Sequence, residues 1–285
     1  MKIARYDAGT GPRAGVIKGD AIIDLEKSGF RYHRVIDIIA AGTTALEELS
    51  ELMARSEGHH DLKNVTLLAP VERTGKYLGI GMNYKKHAEE AAKLGVAKAN
   101  HQVWFNKQTS CISGPFDAID PGVTEKLDYE VELGVVIGKS AKGVDRNNAM
   151  SHIFGYFVAN DVSARDWQFH SPTFTMGKSF DTHGPIGPWI TTADEISDPQ
   201  NLDLKCTVNG EMRQSSNTSQ MVHLIVDQIA YLSTAFTLEP GDLLATGTPE
   251  GVGVAMDPPV FLQPGDVVRC EIEGLGVIEN TVTAG

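Results

Sequence analysis

Residues Asp128-Tyr129-Glu130-Val131-Glu132-Leu133-Gly134-Val135-Val136-Ile137-Gly138 set two carboxylates into an otherwise apolar run. Side chains alternate along an extended chain, so Glu130 and Glu132 share one face while Tyr129, Val131 and Leu133 share the other. Two ionised carboxylates roughly 7 Å apart on one side of a strand repel, and burying them uncompensated costs several kcal/mol each. Either that face is solvated, as on an edge strand, or a divalent cation removes the penalty. All-oxygen ligation suits a hard ion such as Mg²⁺, Mn²⁺ or Ca²⁺ better than zinc.

A second apolar run, Ile153-Phe154-Gly155-Tyr156-Phe157-Val158-Ala159-Asn160-Asp161-Val162, also reads as a buried strand and ends on an acid. Asp161 is either the N-cap of a helical turn over 163–168 or a third ligand. Three carboxylates from two strands would leave positions on an octahedral ion for water and a chelating substrate, the arrangement of a catalytic metal site. The glycine-rich stretches around Gly177-Lys178 and at 245–253 lack the spacing of a phosphate loop, and no G-x-G-x-x-G follows a strand. Nucleotides are therefore not indicated.

The formal net charge of −12, with no Lys/Arg run, argues against a nucleic-acid partner. An acidic chain that takes an anionic substrate needs fixed cations at its site. No apolar run approaches the length of a membrane span and the N-terminus lacks a signal core, so a cytoplasmic location is expected. Cys111, Cys206 and Cys270 are odd in number and widely spaced, which predicts reduced, mostly buried thiols. Cys111 has no adjacent His/Asp arrangement to make it a nucleophile.

Residues 1–70 hold short alternating segments at 2–6, 14–17 and 21–25, then helical periodicity at 35–40 and 45–49. They carry no chemical motif and read as a small N-terminal α+β structural domain ahead of a second domain over 71–285. That second part is strand-rich, with helices expected over 83–94 and 221–237. Its later strands, 241–246 and 266–272, each follow a Pro-Gly turn. Helices do not alternate with parallel strands, which disfavours Rossmann and TIM-barrel folds.

Five strings occur in one order: Gly81-Met82-Asn83-Tyr84 followed by His87; Tyr129-Glu130-Val131-Glu132-Leu133-Gly134; Asn160-Asp161-Val162-Ser163-Ala164-Arg165-Asp166; Gly177-Lys178-Ser179-Phe180-Asp181; and Thr246-Gly247-Thr248-Pro249-Glu250-Gly251-Val252-Gly253. Over about residues 75–285 the chain thus resembles the fumarylacetoacetate hydrolase family. The resemblance implies an α+β fold with a mixed β-roll catalytic domain and Mg²⁺ or Mn²⁺ held by Glu130, Glu132 and Asp161. It implies a small anionic 2-oxo acid as substrate, most often an acylpyruvate cleaved at a carbon–carbon bond, and commonly a homodimer.

In a helix, His87 and Glu90 share a face, so the carboxylate can orient the imidazole; a surface histidine on a charge-rich helix fits the same spacing. The family's catalytic His–Glu dyad maps onto this pair, often on a segment that closes as a lid. Its active-site lysine maps onto Lys178, and positions that hydrogen-bond the 2-oxo acid map onto Gln168 and Thr248. Arg165 and Asp166 are expected to form a structural ion pair. Met82 stands where many relatives have Arg or Leu, and Phe105-Asn106-Lys107-Gln108 replaces the commoner F-x-K-P. Loss of an arginine that grips a distal carboxylate would favour a neutral acyl part, as in the 2,4-dioxo-3-deoxy sugar-acid branch. The expected reaction is acylpyruvate hydrolysis, because the His–Glu pair can activate water. Oxaloacetate decarboxylation or a lyase or hydratase reaction is the alternative, and a non-catalytic metal-binding protein is a third.

Overall fold

The structure, a computed structural model, describes residues 1–97 and 99–284. Its centre is the strand Val131–Ile137, every residue of which is buried, because Ile153–Asn160 pairs antiparallel on one side and Leu243–Ala245 on the other. Close approach within this layer depends on Gly134, opposite Phe157: a Cβ there would fall 2.3 Å from the Phe157 ring. The sheet extends through Gly184–Thr192 on one flank, and through Tyr77–Gly81 and Val103–Lys107 on the other, to twelve strands. Leu243–Ala245 runs parallel to Tyr77–Gly81, so the sheet is mixed and the α+β class expected from the sequence holds.

The N-terminal strands Lys2–Asp7, Pro12–Lys18 and Ala21–Asp24 belong to the same sheet, since Lys2 pairs with Thr191 and Ile3 with Ile190. The sheet therefore runs unbroken across the connection near residue 70. Helices Val35–Ala41 and Thr43–Arg55 cover its inner face with Ile38, Ile39, Leu49 and Leu52. A four-stranded sheet, ordered Glu211–Asn217, Asp203–Val208, Val267–Ile272, Gly276–Thr281, shares a core with the central strands through Leu204, Val268 and Ile278. Against this core lies Ile225–Ala235, the shorter form of the helix expected over 221–237.

The helix expected over 83–94 spans Lys85–Lys93 and buries no residue. Among the described residues, no helix is long and apolar enough to cross a membrane.

Candidate active site

Antiparallel register builds the acidic cluster. Val131 pairs with Asn160 and Glu132 with Ala159, which places Asp161 beside Glu130; the Asp161 N–H donates to the Glu130 carbonyl at 2.9 Å. Glu130 stands just ahead of its strand rather than inside it. One carboxylate oxygen from each of Glu130, Glu132 and Asp161 lies within 4.8 Å of the others, and all three residues are buried. Asp161 caps no helix, because both its oxygens are taken by lysines.

Three buried cations face this cluster. Lys178 Nζ donates to Glu130 Oε2 at 2.8 Å and Asp161 Oδ2 at 2.7 Å. Lys107 Nζ donates to Asp161 Oδ1 at 2.5 Å and to the Lys178 and His183 carbonyls. Arg165 Nε donates to Asp128 Oδ2 at 2.8 Å, its Nη2 lies 2.7 Å from Glu130 Oε1, and its Nη1 donates to Gln168 Oε1 at 3.0 Å. Burial would raise the Glu130 pKa, but Lys178 and Arg165 outweigh it and hold the carboxyl down at about 2.

Glu132 is treated differently. Its hydrogen bond comes from the Gly247 N–H at 2.7 Å, and no ion pair to it occurs among the described residues. Burial, then Asp161 and Glu130, push its carboxyl well above the usual range. Three cations thus face four buried acids, Asp128 included, and Glu132, once ionised, would carry the unmatched negative charge. The donor set is all oxygen, preassembled and one charge short of balance, so the residues present fit a hard divalent ion.

The expected Arg165–Asp166 ion pair is not formed. Neighbouring residues on a helix do not face each other, and the Arg165–Gln168 turn sends Arg165 inward to Asp128 and Glu130. Asp166 turns outward and accepts from Thr124 Oγ1 and from the Glu125 N–H at 3.1 Å.

Next to the cluster opens a cavity of about 420 Å³ whose wall includes His87, Glu90, Glu130, Gln168, Lys178 and Thr248. Glu132 and Asp161 are not part of that wall. His87 Nδ1 is 3.4 Å from Glu90 Oε2, a loose contact, and Glu90 also accepts from the Gly251 N–H at 3.1 Å. Gln168 gives its carbonyl oxygen to Arg165, leaving its NH₂ without a partner among the described residues and on the cavity wall. The Thr248 hydroxyl donates to the Val131 carbonyl at 2.9 Å and accepts from Gln214 Nε2 at 2.8 Å. Toward a bound ligand that hydroxyl can only accept. Lys126 and Arg165 add two cations to the wall, and its remainder is mostly apolar, with Leu94, Phe105, Phe169, Phe174 and Phe261.

Four residues that build the site drew no role from the sequence. Lys107 is in period with the buried Phe105 on Val103–Lys107, and an in-phase lysine at a strand end was the available signal. Asp128 takes N–H bonds from Tyr129, Gly253 and Val254, fastening the 246–253 loop. Asn83 bonds the Thr246 carbonyl at 2.7 Å and both backbone groups of His223. That contact needs Gly247, whose φ of +102° and 2.6 Å approach to Asn83 Cβ leave no room for a side chain. Gln214, more than eighty residues downstream of Val131, joins that strand to Thr248 and had no local signature.

Residues 76–283 match the family described as Fumarylacetoacetate (FAA) hydrolase C-terminal. A mitochondrial oxaloacetate tautomerase of Bos taurus is 42% identical, over 99% of this chain and 91% of its own. The solved fumarylacetoacetate hydrolase of Exiguobacterium antarcticum superposes over 100% of both chains with TM-score 0.84 and 37% identity. Maleylpyruvate hydrolase from Sphingobium sp. SYK-6, solved with manganese(II) and pyruvate, gives TM-score 0.81 and 32% identity over 99% of both chains.

Proposed function

The chain belongs to the fumarylacetoacetate hydrolase family, and from that membership and the site's geometry we propose that it is a divalent-metal-dependent enzyme acting through the enolate of a small 2-oxo acid. Its leading reaction is the keto–enol interconversion of oxaloacetate. The observation that carries this reading is the buried triad Glu130, Glu132 and Asp161, with ligand oxygens within 4.8 Å of one another, beside a cavity that presents one His–Glu pair. The Bos taurus relative supports oxaloacetate as substrate, and the Sphingobium structure supports Mn²⁺, or Mg²⁺ in its place, as metal.

Glu130, Glu132 and Asp161 would hold the ion, which when bound supplies a Lewis acid that favours the enolate. The remaining work falls to protein groups. Lys178 and the Gln168 NH₂ bind the anionic substrate, and Arg165 orients Gln168 while keeping Glu130 ionised. His87 takes a proton from the substrate carbon and delivers it to the enolate oxygen, or the reverse, with Glu90 fixing the ring. Keto–enol interconversion needs this shuttle and no attacking water, which is why it takes precedence over the hydrolysis expected from the sequence.

Acylpyruvate hydrolysis is the second reading. It is favoured by the size and apolar wall of the cavity, which exceed what a four-carbon acid fills. In both readings the protein is expected to work as a homodimer.

The test follows enol-oxaloacetate absorbance with Mg²⁺ or Mn²⁺, in parallel with acylpyruvates and 2,4-dioxo sugar acids. Interconversion should accelerate, stop with chelator, and fall roughly 10²-fold or more in His87→Ala while metal affinity holds. Acylpyruvate cleavage without interconversion would move the assignment to the second reading. Turnover of none of these substrates, or full activity without metal, would overturn both.

A further inference from the structure

The four-stranded sheet carries two thiols that the proposed chemistry does not use. Asp203–Val208 and Val267–Ile272 run antiparallel with Cys206 directly opposite Cys270. Burial alternates along both strands: Leu204, Cys206 and Val208 on one, Val268, Cys270 and Ile272 on the other. Both thiols therefore leave the sheet on its inward face, side by side, and both are fully buried in the same core. Directly opposed residues of an antiparallel pair have Cα atoms roughly 4.5–5.5 Å apart, inside the roughly 4.4–6.8 Å that a disulfide spans. Cys111 lies in the other core and is no competitor for either.

We infer that Cys206 and Cys270 are a cross-strand redox pair that closes to a disulfide when their strands part in the presence of a small disulfide oxidant. One thiol loses its proton to solvent, and the thiolate attacks a sulfur of the oxidant RSSR and expels RS⁻. The second thiolate then attacks the protein sulfur of that mixed disulfide and expels the other RS⁻. Two protein thiols are oxidised, and one RSSR is reduced to two RSH.

The closed sheet withholds this reaction. Burial, reinforced by the neighbouring Cys270 thiol, pushes the Cys206 thiol well above its usual range, so little thiolate forms. Asp203–Val208 and Val267–Ile272 are also the two middle strands of their sheet, which part only in a sub-global opening. The pair is therefore sampled during folding and not from the native surface. Cys206 also pairs across its strand with Gln214, the residue that ties Thr248 to Val131, so the bond would clamp the strand beside that tie.

The test unfolds the protein in urea, refolds it in glutathione disulfide with glutathione, blocks free thiols with an alkylating agent and maps peptides by mass spectrometry. The expected product is about 2 Da lighter than the reduced chain, contains a peptide joining the two strands, and carries label on Cys111 alone. It should melt higher than the reduced protein, by roughly 5 °C or more. Folded protein given the same oxidant for the same time should remain mostly reduced, and Cys206→Ser should give no bond. Label on all three cysteines after refolding, a bond to Cys111, or a cross-linked form that melts lower than the reduced one would overturn the inference. The map of the unsubstituted protein decides the matter even if the serine variant fails to fold.

Discussion

Lys107 Nζ lies 2.5 Å from Asp161 Oδ1, and neither side chain reaches solvent. The ammonium's other donors go to the carbonyls of Lys178 and His183, so one cation fixes an acid of the cluster and the backbone that carries the site's second lysine. Desolvation works against its charge, but Asp161 prevails and the Lys107 pKa is raised. Lys107→Met should leave Asp161 Oδ1 and two carbonyls unpaired, with Lys178 still on Oδ2, and cost roughly 3–5 kcal/mol. Urea unfolding measures this; a loss below about 1 kcal/mol would mean that solvent or Lys178 replaces the ammonium.

Metal binding and fold stability should respond to Glu132 with opposite signs. Without metal, Glu132 has no ion-pair partner and its raised pKa favours the neutral acid, which Gln closely replaces, so Glu132→Gln should melt at or above the parent. With Mn²⁺ the parent should gain stability by mass action and the variant should gain little. Calorimetric titration and melting curves, each with and without chelator, read the two effects separately. A variant that still binds Mn²⁺ at parental affinity would remove Glu132 from the ligand set.

The Lys85–Lys93 helix should tighten when the site fills. It buries no side chain and stands between two cavities, His87, Glu90 and Ala91 facing one of 420 Å³ and Lys85, Ala88 and Ala92 facing another of 470 Å³. Oxalate, an enolate mimic, supplied with Mg²⁺ would give it partners, and amide hydrogen exchange across 85–93 should slow. Equal protection with and without oxalate would show that the helix is already fixed, and its role as a lid would have to be dropped.

Acid should weaken the fold through His183 before it reaches the carboxylates. Burial first, then the Lys107 charge, hold this imidazole down at about 4, and its Nε2 lies 3.0 Å from the Asp120 carbonyl. An unfolded histidine takes its proton near pH 6.5, so the stability contributed by neutral His183 is complete above that pH and declines as pH falls toward 4. Between pH 6.5 and 5 the loss is about 2 kcal/mol. Unfolding curves at those two pH values should show it in the parent and a much flatter response in His183→Gln; identical slopes would show that His183 does not set this dependence.

The acids of the cluster are legible in the sequence because they violate a local rule: a carboxylate in a buried run demands compensation, and Glu130, Glu132 and Asp161 all stand at such violations. The contact between His87 and Glu90 is legible from helical spacing, whereas a role for the pair comes only from the resemblance. The Arg165–Asp166 pair fails because adjacency in the chain is not proximity on a helix, and Asp128 gives no local signal because, Tyr129 apart, its partners Arg165, Gly253 and Val254 lie more than thirty residues along the chain. Lys107 and Gln214 act only through non-local bonds, to Asp161 and to Thr248, which no periodicity encodes. The N-terminal strands were found correctly, but their hydrogen bonding to Gly184–Thr192 depends on a pairing almost two hundred residues distant.

The spacing of the three acids is set by the backbone register between Val131–Ile137 and Ile153–Asn160. The apolar wall of the cavity comes from elsewhere: Leu94 beyond the 85–93 helix, Phe169 and Phe174 before Lys178, and Phe261 near the C-terminus. The two parts can therefore vary independently. A laboratory library at those four positions would reshape the pocket without touching either strand, and natural selection has had the same freedom to vary the pocket around a fixed acidic cluster.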